Sequence, residues 1–275
     1  MIRGRVLRLI VLYSLLVAVV LTMLIPLMWM ISTSVKTKSE VTFQGGGWLP
    51  KKWRWDNFGQ VFKRTNFSLN YWNSTFVTLV VTFGQVATSA MAGFAFSRLH
   101  WPGRDKVFLA YLATLMIPST VTMLPDFIIL RELGWLDTYR ALALPGIFTA
   151  FGTFLCRQYM LGLPRDLEEA AMIDGCGYLR IFLNVTVPLS YPVLATLGIL
   201  TFMGIWRCFD WPLVVTFTED MRVLPIALYT FQGQIDVEYN LLMAASLLMI
   251  LPLIILFVFG QKIFVEGIRL GAVKG

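Results

Sequence analysis

Long stretches without a single charged residue are the feature that most constrains the fold of this chain. Three of them cover residues 9–31, 71–97 and 239–261. A helix of about 20 apolar residues crosses the roughly 30 Å hydrocarbon core of a bilayer, so each stretch is long enough to span it. Of the 275 residues, 57% are hydrophobic and 14% are charged, and the mean hydropathy is +0.70. Because backbone polar groups in lipid must pair within their own segment, the sequence predicts an all-α polytopic membrane protein.

The apolar segments predict six transmembrane helices in one domain, and the distribution of basic residues places both termini in the cytoplasm. Lys and Arg are enriched in cytoplasmic loops. The four segments assigned to the inside are the N-terminus, residues 98–106, residues 157–180 and the C-terminus, and each carries three Lys or Arg residues. The outside loops after the first carry three such residues in total. Seven further Lys and Arg residues lie in the first outside loop and count against this orientation, although the middle of so long a loop should count for less. The predicted spans are 9–31, 71–97, 107–130, 141–160, 191–217 and 239–262, with an extracytoplasmic loop at 32–70 and a cytoplasmic loop at 161–190.

Two local patterns inside the predicted spans indicate how the helices pack. Pro118 and Pro125 interrupt the third span, and proline removes a backbone donor and kinks a helix. A membrane tolerates this where neighbouring protein satisfies the freed carbonyls. Ser89 and Gly93 lie four residues apart in the second span, a spacing of small residues that favours close helix packing. Membrane lipid is therefore expected to surround a tightly packed bundle.

No motif in the chain predicts catalysis or a bound cofactor. The phosphate-binding pattern G-x-x-x-x-G-K-[ST] is absent, as are H-E-x-x-H and G-x-S-x-G. The three cysteines and the single histidine, His100, have no metal-ligand spacing. The net charge of +7 is explained by basic cytoplasmic loops, and no aromatic-interleaved basic patch indicates nucleic-acid binding. We therefore expect a pore-forming subunit that is not an enzyme and that depends on a separate motor.

Residues 167–188, LEEAAMIDGCGYLRIFLNVTVP, form a short segment with acidic residues between two apolar spans. Asp166, Glu168 and Glu169 lie at a predicted helix N-terminus, where acidic side chains complement the helix dipole. Ala170-Ala171 leaves room for a close partner surface, and Gly175 permits the turn into the next helix. One interpretation is a solvated helix that only links two spans. The other is a rigid knob that transmits motion between a cytoplasmic motor and the membrane.

A second polar group lies within the fifth predicted span, at Trp206, Arg207, Asp210 and Trp211. Ionisable residues at membrane depth are costly and usually face a partner or a water-filled path. Arg207 and Asp210 are three residues apart, so on one helix they share a face. These four residues are predicted to line a translocation path, where tryptophan rings and hydrogen-bonding groups suit a sugar. The alternatives are that the two charges only neutralise each other, or that they lie near the outer interface, where tryptophan is common.

The spacing of residues 169–188 resembles the EAA motif of bacterial ABC importer permeases, EAA-x3-G-x9-I-x-LP. Glu169-Ala170-Ala171 is followed after three residues by Gly175 and after nine more by Val185, with Val187-Pro188 closing the motif. Further segments look like successive landmarks of the carbohydrate-uptake branch, most of all the second permease subunit of the maltose and glycerol-3-phosphate type. These segments are WPGR at 101–104, LMIP at 115–118, LGWLDT at 133–138, FLCRQ at 154–158, LPRDLEEAA at 163–171, WPL at 211–213 and GAVKG at 271–275.

The resemblance implies the ABC type I importer fold and a set of partners. These would be a second, homologous permease, two ATPase subunits that bind ATP and Mg, and an extracytoplasmic solute-binding protein, in a bacterial or archaeal cytoplasmic membrane. In that family the motif is a cytoplasmic coupling helix seated in a groove of the ATPase, and the C-terminal tail, here residues 266–275, reaches toward the ATPase interface. The residues that this role implies are Glu168, Glu169, Ala170, Ala171, Asp174 and Gly175.

The chain departs from the family pattern just before its WPL element. Arg207 stands where the family usually has asparagine, and Asp210 takes a usually apolar place. A permease for a glycerophosphodiester is therefore one alternative, since an arginine binds phosphate well. A stand-alone secondary transporter is another, and it would be expected to show inverted repeats and intramembrane acids for ion coupling. No convincing repeat is found.

Overall fold

The computed structural model describes residues 2–42, 47–232 and 237–272, with side chains described from residue 8 to residue 261 of these ranges. All of the regular structure in these ranges is helical, which confirms the predicted all-α class. The α-helices are α1 (Ile2–Ser34), α2 (Lys38–Thr42), α3 (Asp56–Arg64), α4 (Phe67–Arg98), α5 (Arg104–Ala113), α6 (Ser119–Glu132), α7 (Tyr139–Ala143), α8 (Ala150–Leu161), α9 (Asp166–Ile173), α10 (Tyr178–Ile181), α11 (Val187–Leu189), α12 (Tyr191–Trp206), α13 (Asp210–Val215), α14 (Leu224–Thr230) and α15 (Tyr239–Ala272).

Four apolar helical stretches in the described chain are long enough to cross a membrane, and six if two bent helix pairs each count as one span. The four are Arg8–Ser34, Phe67–Arg98, Tyr139–Leu161 and Tyr239–Gln261. Apolar side chains of α1 are exposed on all its sides, as expected for a helix that meets lipid. The chain therefore has the helices that a polytopic membrane protein needs.

The third and fifth predicted spans differ from simple helices. Arg104–Met116 and Ser119–Glu132 meet at an angle of 98°, with Pro118 as the residue before α6. Proline lacks the N–H that a continuous helix needs, and its ring disfavours helical geometry in the residue before it. Tyr178–Leu189 and Tyr191–Trp206 form a second bent pair at 75°. The prediction of one helix over 191–217 is thus corrected: α12 ends at Trp206, and the short α13 begins at Asp210.

One structural unit comprises residues 1–67 and 227–251. Within it the predicted extracytoplasmic loop is ordered by polar contacts to backbone. The amide Nδ2 of Asn57 donates 2.8 Å hydrogen bonds to the carbonyls of Ser34 and Lys36. The carboxylate of Glu40 accepts from the backbone N–H of Thr37 and of Lys51, at 3.0 and 2.6 Å. Residues 43–46 of this loop lie outside the described residues.

The other unit comprises residues 68–226 and 252–275, and here α4 packs closely on α8. A Cβ added to Gly93 would lie 2.6 Å from the Cβ of Cys156 and 3.0 Å from the backbone N of Arg157. A Cβ on Gly152 would collide with the hydroxyl of Ser89. The predicted small-residue packing at Ser89 and Gly93 is therefore confirmed. Buried side chains of both helices join those of α12 in one apolar cluster, which includes Phe94, Cys156, Met160 and Leu197.

Candidate coupling helix and translocation cavity

The acidic segment of the sequence forms a short helix with a defined end. Helix α9 carries Asp166, Glu168 and Glu169 in its first turn, where the exposed N–H groups favour negative charge. After its C-cap, Asp174, the backbone N–H of Gly175 donates to the carbonyl of Met172, and that of Cys176 to the carbonyl of Ala171. This is the Schellman pattern, which requires a left-handed residue at Gly175.

Gly175 has that conformation, with φ of +81°. An added Cβ would meet no atom within 4 Å, so its requirement for glycine comes from the backbone and not from crowding. The prediction that Gly175 turns the chain toward the next helix is confirmed. Its part in coupling stays a prediction.

Most of the predicted coupling residues lie on the outer surface of α9. Glu169, Ala170 and Asp174 are exposed, and Ala171 is partly buried. Large apolar side chains accompany them: Ile173 is 86% exposed and Leu167 is 49% exposed. Large exposed apolar side chains beside acidic residues on so short a helix favour a binding surface over a solvated link.

Glu168 differs from the other residues of the motif because its side chain points into its own chain and is only 8% exposed. Its Oε1 lies 2.9 Å from Nε of Arg98, the last residue of α4. The hydroxyl of Thr186 donates to the same oxygen at 3.4 Å. The resemblance implies a contact of Glu168 with an ATPase, whereas the structure places this carboxylate on an arginine of the same chain.

The residues after α9 include a π-helical segment, Phe182–Thr186, between α10 and α11. Single turns of π-helix occur frequently at functional sites. This one contains Thr186 and leads directly to Val187-Pro188 of the motif. The polar contacts of Glu168 thus join α9 to this irregular segment.

The tryptophan–acid group of the fifth predicted span is split by the structure. Helix α12 ends at Trp206, and Arg207 stands outside it as an exposed residue whose Nε donates to the carbonyl of Met203 at 2.9 Å. Asp210 begins α13, so the two charges do not share one helix face. No salt bridge joins Arg207 and Asp210, both of which lie in the described part of the chain. The interpretation that they only neutralise each other is therefore not supported.

Trp206, Asp210 and Trp211 line one cavity of about 310 Å³, and Arg207 does not. Trp206 is 1% exposed and stacks on Phe202 with ring centroids 5.7 Å apart. The indole N–H of Trp211 donates to the carbonyl of Ala141 at 2.9 Å. Both rings are thus fixed parts of the wall.

Asp126 is a cavity residue that sequence reasoning missed. It lies in α6, one residue after Pro125, and it lines the cavity together with Asp210. The signal was present, since an ionisable residue in an apolar span is by itself a sign of function. The remaining lining residues supply hydroxyls or apolar surface, and none is basic: Ser74, Val77, Thr78, Ser119, Thr120, Thr122, Met123, Leu142, Pro145, Gly146, Ile205, Cys208, Pro212, Val223 and Pro225.

No group of three or more His, Cys, Asp or Glu in the described ranges is arranged to hold a metal ion. The C-terminal residues Val273, Lys274 and Gly275, part of the predicted GAVKG landmark, lie outside those ranges. Membrane-length helices, two of them sharply bent pairs, a helix with exposed acidic and apolar side chains, and a cavity lined by two aspartates together place the chain in the class of membrane transport permeases.

Comparison with known proteins specifies the family. Residues 85–270 match the family of binding-protein-dependent transport system inner membrane components. The chain is 37% identical over 256 residues to the arabinooligosaccharides transport system permease protein AraQ of Halalkalibacterium halodurans, covering 91% of each chain. It is 32% identical to the lactose transport system permease protein LacG of Rhizobium radiobacter, covering 96% of each. This chain belongs to the family of binding-protein-dependent inner-membrane permeases, and it is a multi-pass permease subunit of an ABC importer.

Solved structures agree with this assignment. A chain of a bacterial ABC transporter involved in the import of the acidic polysaccharide alginate superposes with a TM-score of 0.84 at 27% identity, covering 92% of this chain and 95% of that one. A chain of the MetNI methionine ABC transporter matches at 16% identity with a TM-score of 0.54, which shows the shared fold alone. The predicted type I importer fold is confirmed.

Proposed function

We propose that this chain pairs with a second permease to form the translocation path for an uncharged sugar or oligosaccharide, driven by ATP on partner subunits. An extracytoplasmic binding protein delivers the solute, and the bacterial cytoplasmic membrane is the site of action. The observation that carries the proposal is the exposed surface of α9, which joins Glu169 and Asp174 to the apolar side chains of Leu167 and Ile173.

This surface suits a groove on an ATPase subunit for two reasons. Ile173 and Leu167 supply apolar area whose burial favours association. Glu169 and Asp174 flank them with charges that orient the partner and raise the rate of encounter. Two such ATPase subunits, each with ATP and Mg, would supply the energy that this chain has no motif to use.

The cavity supports an uncharged, hydroxyl-rich solute. Hydroxyls from Ser119, Thr120 and Thr122 and the carboxylates of Asp126 and Asp210 accept hydrogen bonds from sugar hydroxyls, and Trp211 adds apolar surface. The names of the relatives agree, since AraQ is named for arabinooligosaccharides and LacG for lactose.

A phosphate-bearing solute has support from one relative but not from the cavity. The chain is 34% identical to the sn-glycerol-3-phosphate transport system permease protein UgpE of Brucella abortus. However, the cavity wall holds two carboxylates and no Lys or Arg, and Arg207 stands outside it. Two negative side chains repel a phosphate in a medium of low dielectric constant. A glycerophosphodiester therefore remains the second candidate.

The test is purification of the tagged chain from its native host in mild detergent, with mass spectrometry of every chain that stays bound. We expect a second permease and an ATPase with a phosphate-binding loop, in stoichiometric amounts. The extracytoplasmic binding protein that stimulates ATP hydrolysis by the purified complex is then identified. Its binding of neutral oligosaccharides and of glycerophosphodiesters is measured by calorimetry. A lone chain that transports when reconstituted by itself would contradict the importer, and a binding protein specific for phosphodiesters would contradict the solute class.

A further inference from the structure

A buried ion pair joins the C-terminal end of α4 to the proposed coupling helix, α9. Arg98, the last residue of α4, is 4% exposed at its side chain, and Glu168 is 8% exposed. Nε of Arg98 lies 2.9 Å from Oε1 of Glu168, and its Nη2 donates to the carbonyl of Leu163 at 3.0 Å. Arg98 therefore holds both the coupling helix and the segment that leads into it.

The carboxylate of Glu168 extends this contact to a third element. The hydroxyl of Thr186, in the π-helical segment, donates to Oε1 of Glu168 at 3.4 Å, and Thr186 is fully buried. Three elements far apart in the sequence thus meet at one polar centre: the end of α4, the start of α9 and the π-helical segment.

The burial of the pair decides what it does. Among the ion pairs of the described residues, this is the one in which both side chains are less than a tenth exposed. Loss of one partner from a buried pair leaves an uncompensated charge, which is strongly unfavourable. An exposed pair separates in water at little cost, whereas separation of this pair would leave two buried charges without a partner.

We propose that Arg98 and Glu168 form a rigid link through which displacement of the coupling helix moves the inner end of α4. The inference rests on the proposed function, since an ATPase must displace α9. The two adjacent glutamates of the motif then have different roles. Glu169 faces the partner, and Glu168 is a positioning residue that faces its own chain. Because Ser89, Gly93 and Cys156 hold α4 against α8, movement of α4 is passed on to the bundle.

The experiment compares the wild-type complex, purified with its bound chains, with three variants: Glu168→Gln, Arg98→Gln and the double variant. Glu168→Gln keeps the shape of the side chain and the acceptor for Thr186, so it removes the charge with little change of volume. Amide hydrogen exchange is measured without nucleotide and with MgATP plus vanadate, in α9 and in residues 86–98. Glu132→Gln, which removes the exposed pair with Arg131, is the matched control.

In wild type and in Glu132→Gln we expect nucleotide to change exchange in both α9 and residues 86–98. In Glu168→Gln the response of α9 persists, while that of residues 86–98 falls by at least half. The double variant recovers part of the response, because two amides pair without a stranded charge. A response of residues 86–98 in Glu168→Gln that equals wild type would overturn the link, even if Arg98→Gln fails to fold. If wild type brings down no ATPase, the proposed function itself has failed.

Discussion

The carboxylate of Asp137 accepts a 2.9 Å hydrogen bond from the backbone N–H of Phe217, 80 residues further along the chain. It also accepts one from Thr218 at 3.2 Å, and the N–H of Asp137 donates to the carbonyl of Val215 at 2.8 Å. Asp137 has a φ of +58°, a left-handed conformation that few residues besides glycine, asparagine and aspartate adopt readily. Because these contacts fix the end of α13, they hold the element that carries Asp210 in the cavity wall.

Replacement of Asp137 by alanine is expected to lower the free energy of unfolding by about 2 kcal/mol. The change removes the acceptor for two backbone N–H groups and leaves a less tolerant residue in the left-handed region. Asp137→Asn keeps both the acceptor and the backbone preference, so it should lose less than half as much. Thermal unfolding of the detergent-solubilised chain measures both. Equal losses in the two variants would show that the charge, and not the geometry, matters.

Acidification is expected to destabilise the predicted extracytoplasmic loop through Glu40. Hydrogen bonds from the backbone of Thr37, opposed by partial desolvation and aided by the N–H of Lys51, lower the pKa of its carboxyl. Since the folded pKa is below the unfolded value of about 4.3, the stabilisation is complete above that pH. It is lost as the pH falls through the folded pKa.

The measurement is proteolysis of residues 32–70 in wild type and in Glu40→Gln between pH 7 and pH 3. We expect wild type to resist better at pH 7 and to lose that advantage as the pH falls through the lowered pKa of Glu40, because glutamine does not titrate. A constant difference between the two across the range would contradict the role of the carboxylate.

Substitution of Gly93 by alanine should cost about 1–3 kcal/mol, as overpacking of a tight contact does. The added Cβ would lie 2.6 Å from the Cβ of Cys156, so α4 and α8 must move apart. Gly204→Ala is the matched control, because a Cβ there meets nothing within 4 Å. Melting temperature in detergent compares the two. If Gly93→Ala had the same melting temperature as Gly204→Ala, the two helices would be able to move apart without loss of stability.

Gly175→Val should leave the spans folded but reduce the ATPase that co-purifies. A β-branched residue in the left-handed conformation costs about 1–2 kcal/mol or more, which disrupts the end of α9. Gly175→Asn should fall between valine and wild type, since asparagine tolerates this region. Gly177→Ala, two residues further on with negative φ and open space, serves as the control. Normal association of Gly175→Val with the ATPase would refute a role for this helix end.

Asp126→Asn is expected to reduce solute uptake about tenfold with little change in the amount of folded complex. A hydrogen bond to a charged group contributes about 1.5–3 kcal/mol, and the amide replaces it with a weaker acceptor. Arg207→Gln is the comparison, because Arg207 lies outside the cavity and should affect uptake less than twofold. Uptake of the solute held by the binding protein measures both. The reverse order of effects would place the path on the side of Arg207.

The start and the end of α9 could be predicted from residue types alone. Acidic residues before Ala170-Ala171 predicted a helix start, and Gly175 predicted its end, because both depend on local backbone chemistry that does not need the rest of the fold. The break at Pro118 follows from the missing N–H in the same way. In contrast, the sequence predicted one span over 191–217, because Gly204 lies inside α12 and Pro212 inside α13, so neither residue marks the break after Trp206.

The sequence by itself determined the class of this protein: the apolar stretches require membrane helices, and the motif spacing identifies the permease. Only the tertiary structure decided which polar groups meet. It separated Arg207 from the cavity, placed Asp126 and Asp210 in the same cavity wall, and turned Glu168 away from Glu169 and onto Arg98. The physical reason is that helix periodicity sets which residues share a face of one segment. The partner of a buried charge, however, lies on another segment, and only the packing of the helices brings the two together.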